Sequence, residues 1–236
     1  DAAISFLFCD ECGNYFCTET NMSKKAHDET YSNNHVWAKK SEDDWARHYS
    51  IREQRQKKLN KKILKHISKI LDLKNMKHAD FACAEGVLVE TMLENGFHSI
   101  GIEIDKNAVK WGKKKGRPLF NESLFDTRKK NFDLISIHEA LDHMPSVFDA
   151  IEKIKSSLNR GGFISIVNTI YDMKHEVEKN KFHHSTYFSL EGLRKALNIH
   201  GFEIISEKSL PLPGRWPQRI RNPRFKSKHL FIARMT

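Results

Sequence analysis

The sequence predicts an α/β fold: a mostly parallel sheet flanked by helices and closed by an antiparallel strand. Three stretches predict it. Residues 80–105 read as strand, tight turn, helix and strand, with an apolar run into the small residues Ala82, Ala84 and Gly86 and a second apolar run from Ser99 to Ile104. Residues 132–169 hold an apolar run from Phe132, a helical pattern, a Gly161-Gly162 turn and another apolar run from Phe163 to Thr169. Residues 202–209 and 229–235 are two further apolar runs that read as an antiparallel pair.

Taken in order, residues 4–17 are apolar and cysteine-rich, with Cys9-x-x-Cys12-Gly13 forming half of a zinc knuckle: two thiolates at this spacing can hold one metal, and glycine permits the tight turn. Cys17, His27 and His35 are available as further ligands, none at a diagnostic spacing. The competing reading is a terminal segment with free thiols. Residues 18–50 are polar and read as a linker, with a short helix at Asp43–Tyr49. Ile51 to Leu73 is an amphipathic helix with Leu59, Ile63, Ile67, Ile70 and Leu71 on one face and Arg and Lys on the rest. It packs on the sheet and leaves its lysines solvated, or else contacts a membrane surface or RNA.

The helix after the small-residue turn runs from Val87 to Glu94 and stops at Asn95-Gly96. Lys106 to Lys115 is the next helix, and Pro118 to Phe120 a short strand followed by Asn121, Glu122 and Ser123. Met144 to Leu158 is a helix with Phe148, Ile151, Ile154 and Leu158 inward. Tyr171 to Phe188 is a polar loop carrying His175, His183 and His184, in the manner of an active-site lid. Its irregular histidine spacing argues against a metal site. Ser189 caps a helix to Asn198. Pro211 to Lys228 interleaves Arg215, Arg219, Arg221, Arg224, Lys226 and Lys228 with Trp216 and Phe225, which suits phosphate or nucleic-acid contact and equally an ordinary solvated loop.

The chain of 236 residues accommodates one domain plus an appendage. At 39% hydrophobic and 30% charged residues it has an ordinary globular composition. No apolar run reaches the length of a membrane span and no secretory signal opens it. Four cysteines, three of them in residues 9–17, make no disulfide framework, so a reducing, cytoplasmic compartment is expected. The sequence starts at Asp1 without Met, so residues upstream are expected. The net charge of +10 favours anionic partners such as nucleic acid or phosphorylated sugars, although solvated lysines alone would produce it.

The turn at Asp80–Gly86 suits a ligand that approaches the backbone, and Glu103, about 20 residues on, is placed to accept from ribose hydroxyls. Val87 occupies the place of the third small residue of the dinucleotide fingerprint, which excludes that reading. The small-x-small-x-Gly spacing ending at Gly86, with Gly101-Ile-Glu-Ile-Asp105 after it, instead resembles the first two motifs of class I S-adenosylmethionine-dependent methyltransferases. Phe132-Asp-Leu-Ile-Ser-Ile-His-Glu-Ala-Leu-Asp-His-Met144, Leu158-Asn-Arg-Gly-Gly-Phe-Ile-Ser-Ile-Val167, His183 to Leu193 and His200 to Ile205 resemble later segments of that family in the same order. Ala82 and Ala84 depart from the glycines commoner there.

The resemblance implies a Rossmann-like, seven-stranded, mostly parallel sheet with an antiparallel last strand. It also resembles the members that begin with a zinc ribbon, of which residues 1–50 would be a partial, linker-bearing remnant ahead of a methyltransferase domain at 51–236. Implied cofactor contacts are Asp80, Ala82, Ala84, Glu85, Gly86, Glu103, Glu122 and His138. Zinc on Cys9 and Cys12 is the implied structural metal. Methyl transfer to a hydroxyl needs a group to take the proton, and His143 and His184 are the candidates. His143 would otherwise cap the following helix. The expected acceptor is a small molecule, sugar or polysaccharide, anionic in character. An RNA acceptor, or a catalytically silent binding protein, is the alternative.

Overall fold

The computed structural model of the protein describes residues 6–17, 23–33, 42–73, 75–171, 184–210 and 225–236. His35, His175, His183, Arg215, Trp216, Arg219, Arg221 and Arg224 lie outside the described residues, as do the side chains of Phe225 and Lys226.

A seven-stranded sheet organises the chain. Its strands are β3 (Lys77–Phe81), β4 (His98–Glu103), β5 (Leu119–Asn121), β6 (Phe132–His138), β7 (Leu158–Tyr171), β9 (Phe202–Leu210) and β10 (Phe225–Met235), in the order β5-β4-β3-β6-β7-β10-β9. The pairs from β5 through β7 are parallel, and β10 runs antiparallel to both β7 and β9. Four of the five residues of β3 are buried, as a central strand covered on both faces requires. Helices α5 (Val147–Ser157) and α6 (Leu190–Ile199) cover one face with Ile151, Ile154, Leu193 and Leu197. Helices α2 (Glu42–Ile67) and α3 (Val87–Leu93) cover the other with Ile63, Ile67, Leu88 and Met92, and α4 (Lys106–Lys114) completes the set around Val109. No helix among the described residues is long and apolar enough to cross a membrane.

A second sheet joins β1 (Phe6–Phe8), β2 (Tyr15–Cys17) and β8 (Thr186–Tyr187). Tyr15 pairs with Tyr187 and Phe16 with Thr186, so the amino-terminal hairpin is hydrogen-bonded to a segment far along the chain. Ser189, the N-cap of α6, donates from its hydroxyl to the Cys12 carbonyl and from its amide to Asn14 Oδ1 at 2.9 Å.

Two regions differ from the sequence expectation. The segment read as a linker holds α1 (Lys24–Asn33), and α2 begins at Glu42, so position 50 lies inside a helix. Its apolar face packs on the sheet as expected, but the helix extends about two turns earlier because Asp43–Tyr49 continues it. Phe148 is not inward but 53% exposed, tilted against His200 with ring centroids 5.1 Å apart. Ser146, not Met144, precedes α5, its hydroxyl accepting from the Asp149 amide. Ile151 and Ile154 face the sheet as expected, with Ala150 beside them, and Phe148 lies off that face in the first turn.

Candidate active site

A crevice of about 280 Å³ opens at the carboxyl ends of β3, β4 and β6, where open α/β sheets bind ligands. Ala82, Ala84, Glu103, His138, Glu139 and His143 line it from the sheet side. His27 and Tyr31 of α1, with Tyr49 and Arg52 of α2, close it from the other.

The turn after β3 takes an unusual path. Ala82 (φ 57°), Ala84 (φ 48°) and Gly86 (φ 77°) all lie in the left-handed region, which costs an alanine about 1–2 kcal/mol. Strain of this kind clusters at ligand sites. Gly86 has a different reason to be glycine. A Cβ there would stand 2.6 Å from Leu119 Cδ2, so its smallness admits β5, and it does not line the crevice. The alternate small residues therefore divide: two face the crevice and one faces the core.

Glu103 closes the turn. Its Oε2 accepts from the Ala84 amide at 2.7 Å and its Oε1 from the Asp105 amide at 2.8 Å. Burial raises its pKa, and those two amides oppose the rise. Each oxygen keeps a second lone pair. Asp80 and Glu85 border a smaller adjoining cleft of about 40 Å³, together with Arg52 and His138. Both acids are raised by burial, Asp80 further by the neighbouring Glu103 and Glu85 carboxylates. Neither oxygen of Glu85 makes a hydrogen bond, and Arg52 Nε is 3.5 Å from Oε1. Glu122 lies beside a third cleft with Leu124, Phe125 and Ile102, its carboxylate held by Lys129 at 2.5 Å and lowered by it.

Beyond β6 the chain makes a single helical turn, Leu141–His143. Glu139, at φ 56°, precedes it and pairs with Lys228. His138 donates or accepts through Nε2 to Ser165 Oγ at 3.0 Å and is pushed down to about 3 by burial and then by Lys228. His143 Nδ1 meets the Tyr31 hydroxyl at 3.0 Å. The segment before β8 brings His184 against it, with ring centroids 4.3 Å apart. His184 Nδ1 is 3.1 Å from the Tyr171 hydroxyl and 3.3 Å from Asp142 Oδ2. Burial, followed by His143, pushes His184 down to about 3, so its imidazole is neutral at neutral pH. Burial raises the Asp142 carboxyl, with His143 opposing.

At the opposite end of this segment, the β1–β2 turn sets Cys9 and Cys12 side by side. Gly13 (φ 69°) closes it through its amide to the Cys9 carbonyl at 2.7 Å. The Cys12 thiol hydrogen-bonds that of Cys9 and lowers it, whereas burial raises Cys12. Among the described residues the one metal-spaced group of three is Asp142, His143 and His184, so Cys17 and His27 do not complete the cysteine pair. His27 instead hydrogen-bonds Asp28 at 3.0 Å and lies tilted against Tyr31 with ring centroids 4.6 Å apart.

The structure thus brings Ala82, Ala84, Glu103, His138 and His143 onto one crevice, with Asp80 and Glu85 beside it and His184 against His143. Tyr31, Tyr49, Arg52 and Asp142 join them without having been singled out in the sequence, where three lie in apparent linker or solvated helix.

Solved structures share the fold. A methyltransferase bound to the Haloferax volcanii Trm112 methyltransferase activator shares the fold at 13% identity and TM-score 0.62, over 82% of this chain and 97% of that one. So do magnesium protoporphyrin IX methyltransferase from Synechocystis PCC 6803 with bound SAM (15%, TM-score 0.57, 77% and 80%) and geranyl diphosphate C-methyltransferase from Streptomyces coelicolor A3(2) with Mg2+, geranyl diphosphate and S-adenosyl-L-homocysteine (11%, TM-score 0.61, 73% and 77%). No curated protein matches the sequence. The methyltransferase-domain family matches residues 51–207, from within α2 to β9 and across every strand that builds the crevice, and the chain belongs to that family of class I S-adenosylmethionine-dependent methyltransferases.

Proposed function

We propose that the chain transfers a methyl group from S-adenosylmethionine to a hydroxyl of an anionic small-molecule or glycan acceptor bound in the crevice. The observation that carries this reading is the strained Ala82–Ala84 turn, clasped by Glu103 and facing the crevice that also holds His143.

The residues present fit the cofactor. Glu85 offers two buried oxygens without hydrogen bonds beside Asp80 and Glu103, an acidic corner suited to a ligand carrying positive charge. The remaining lone pairs of Glu103 suit ribose hydroxyls. Leu124, Phe125 and Ile102 beside Glu122 offer an apolar slot with one polar edge for a base. When bound, S-adenosylmethionine supplies a methyl group already activated on a sulfonium. The protein's own work is to align the acceptor with it and exclude water. Tyr31 and Tyr49 reach over the crevice from α1 and α2 and form that cover. The acceptor's proton leaves beside His143, which lines the crevice with Asp142 and His184 clustered behind it.

The anionic character of the acceptor rests on the net charge of +10 and on Arg52 in the crevice wall. Cys9 and Cys12 contribute two thiolates to a structural zinc site.

The test is titration with S-adenosylmethionine followed by methyl-transfer screening against nucleotide sugars, polysaccharide fragments and RNA. Saturable cofactor binding and transfer to a sugar hydroxyl are expected. Transfer to RNA alone would move the acceptor class, and cofactor binding with transfer to nothing would make the chain a silent binding protein.

A further inference from the structure

Asp142 and His143 belong to the turn after β6, and His184 to the segment before β8, yet one ligand-capable atom from each lies within 4.8 Å of the other two. His184 Nδ1 and Asp142 Oδ2, at 3.3 Å, already stand at the separation of neighbouring ligands around one ion, roughly 3–3.4 Å for bonds of about 2.1 Å. Two imidazole nitrogens and one carboxylate are the donor set of mononuclear divalent transition-metal sites that keep positions open.

A second observation is independent of this spacing. Asp142 is 4% exposed with the Asn168 side chain beside it, yet its Oδ1 makes no hydrogen bond of ordinary length among the described residues. A buried carboxylate oxygen so poorly paired is costly, and a cation is a partner that would satisfy it. The ligands are also held from behind. The Tyr31 hydroxyl of α1 fixes the ring of His143 through Nδ1, as a hydrogen bond to the far nitrogen orients a metal-binding imidazole. Lys228 is engaged by Glu139. Because His143 lines the crevice, whatever the three residues hold borders the acceptor space.

We propose that Asp142, His143 and His184 bind one divalent transition-metal cation whose open positions take the acceptor, most favourably one with two adjacent oxygens. This rests on the methyl-transfer reading for its role and not for its existence. The cation draws electron density from the acceptor hydroxyl and lowers its pKa. The O–H bond then gives its proton to water, the oxygen pair forms the new O–CH3 bond, and the C–S bond breaks with its pair retained on sulfur. The products are a methyl ether, S-adenosylhomocysteine and a proton, with no change of oxidation state at the metal. His143 and His184 act as ligands in this scheme instead of as bases.

The experiment uses the full chain, freed of metal by chelation, and Mn2+ as the probe, since it prefers nitrogen and oxygen donors to thiolate. Free Mn2+ is counted by electron paramagnetic resonance without cofactor or acceptor. One bound ion per chain is expected, weakened about tenfold or more in His184→Ala and in Asp142→Asn and unchanged in Cys9→Ser. Far-ultraviolet circular dichroism and S-adenosylmethionine affinity check that the variants are folded. If both variants fail to fold, the wild-type count and a chelated, active enzyme decide. Chelation should lower transfer to a hydroxyl by about a hundredfold, restored by Mn2+, with cofactor affinity kept. Absence of Mn2+ binding in the wild-type chain, unaltered binding in both folded variants, or full activity after chelation would each overturn the proposal. A chain that binds Mn2+ at the triad but no cofactor upholds the metal site and rejects the methyl-transfer reading.

Discussion

Glu103→Gln separates the two roles given to the acid at the end of β4. The carboxylate accepts from Ala84 at 2.7 Å and from Asp105 at 2.8 Å. A glutamine retains one oxygen, so one amide keeps a weaker, neutral bond and the other faces an NH2 group, donor against donor. A hydrogen bond to a charged acceptor contributes about 1.5–3 kcal/mol, and a stranded buried amide costs about 1–3 kcal/mol. Relief of the buried charge offsets part of this, since burial is the first cause of the raised Glu103 pKa. The expected net loss is about 2–3 kcal/mol in urea unfolding, with an unchanged m-value. The same substitution removes an acceptor from the ribose, so the dissociation constant for S-adenosylmethionine should rise roughly 10- to 150-fold, at about 1.4 kcal/mol per tenfold. Calorimetric titration of the folded variant measures it. A variant as stable as wild type would refute the clasp. A destabilised variant with unaltered cofactor affinity would keep the clasp and remove Glu103 from the cofactor site.

Other perturbations test separate parts of the argument. Ala82→Gly and Ala84→Gly should each stabilise by about 0.5–1 kcal/mol, because glycine relieves a left-handed alanine and returns part of the gain as chain entropy; a loss of stability in urea would show that the turn is not strained. Arg117, 3% exposed, bridges Glu53 of α2 and Glu90 of α3 at 2.7 and 3.0 Å and the Glu85 carbonyl at 2.9 Å; Arg117→Met should cost about 3 kcal/mol in thermal or urea unfolding, and a neutral result would refute its role as a tie. His78 is fully buried between Ser99 and Ser136 hydroxyls at 2.7 and 3.0 Å, with a pKa pushed down to about 3 by burial. The folded ring stays neutral where the unfolded ring takes a proton, so its contribution is whole above about pH 6.5 and is lost as pH falls toward 3. Between those limits wild type should lose up to about 1.4 kcal/mol per pH unit more than His78→Gln, and parallel stability curves would contradict the assignment.

The central strands β3, β6 and β7 were legible because they are buried on both faces and written as apolar runs, and Ser189 announced the start of α6 through its capping oxygen. The crevice floor was legible for the same reason: the turn after β3 and the end of β6 lie at fixed distances from those runs. Its cover was not. Tyr31, Tyr49 and Arg52 sit in polar helices whose composition reads as solvated, and only tertiary contact turns them inward. The partnership of Asp142 with His184 was equally hidden, since 41 residues separate them and no spacing rule spans such a gap. Gly86 is a residue marked as small for the sake of a ligand whose lack of a side chain also makes room for Leu119.

The pairing of β2 with β8 has a consequence for how the molecule assembles. Tyr15 and Phe16 find their strand partners at Tyr187 and Thr186, and Asn14 fills the space above Gly192, where a Cβ would lie 1.8 Å from its Oδ1. The hairpin therefore leaves the ribosome well before α6, its docking surface, has been made, and its contacts are among the longest in sequence separation among the described residues. Such contacts form late and break early, because the loop entropy must be spent before any of them is gained. The hairpin and the 184–189 segment make one small cooperative unit, seated last and exchanging its amides ahead of the main sheet. Since that unit carries His184, the crevice is completed only when the two ends of a stretch of more than 170 residues have met.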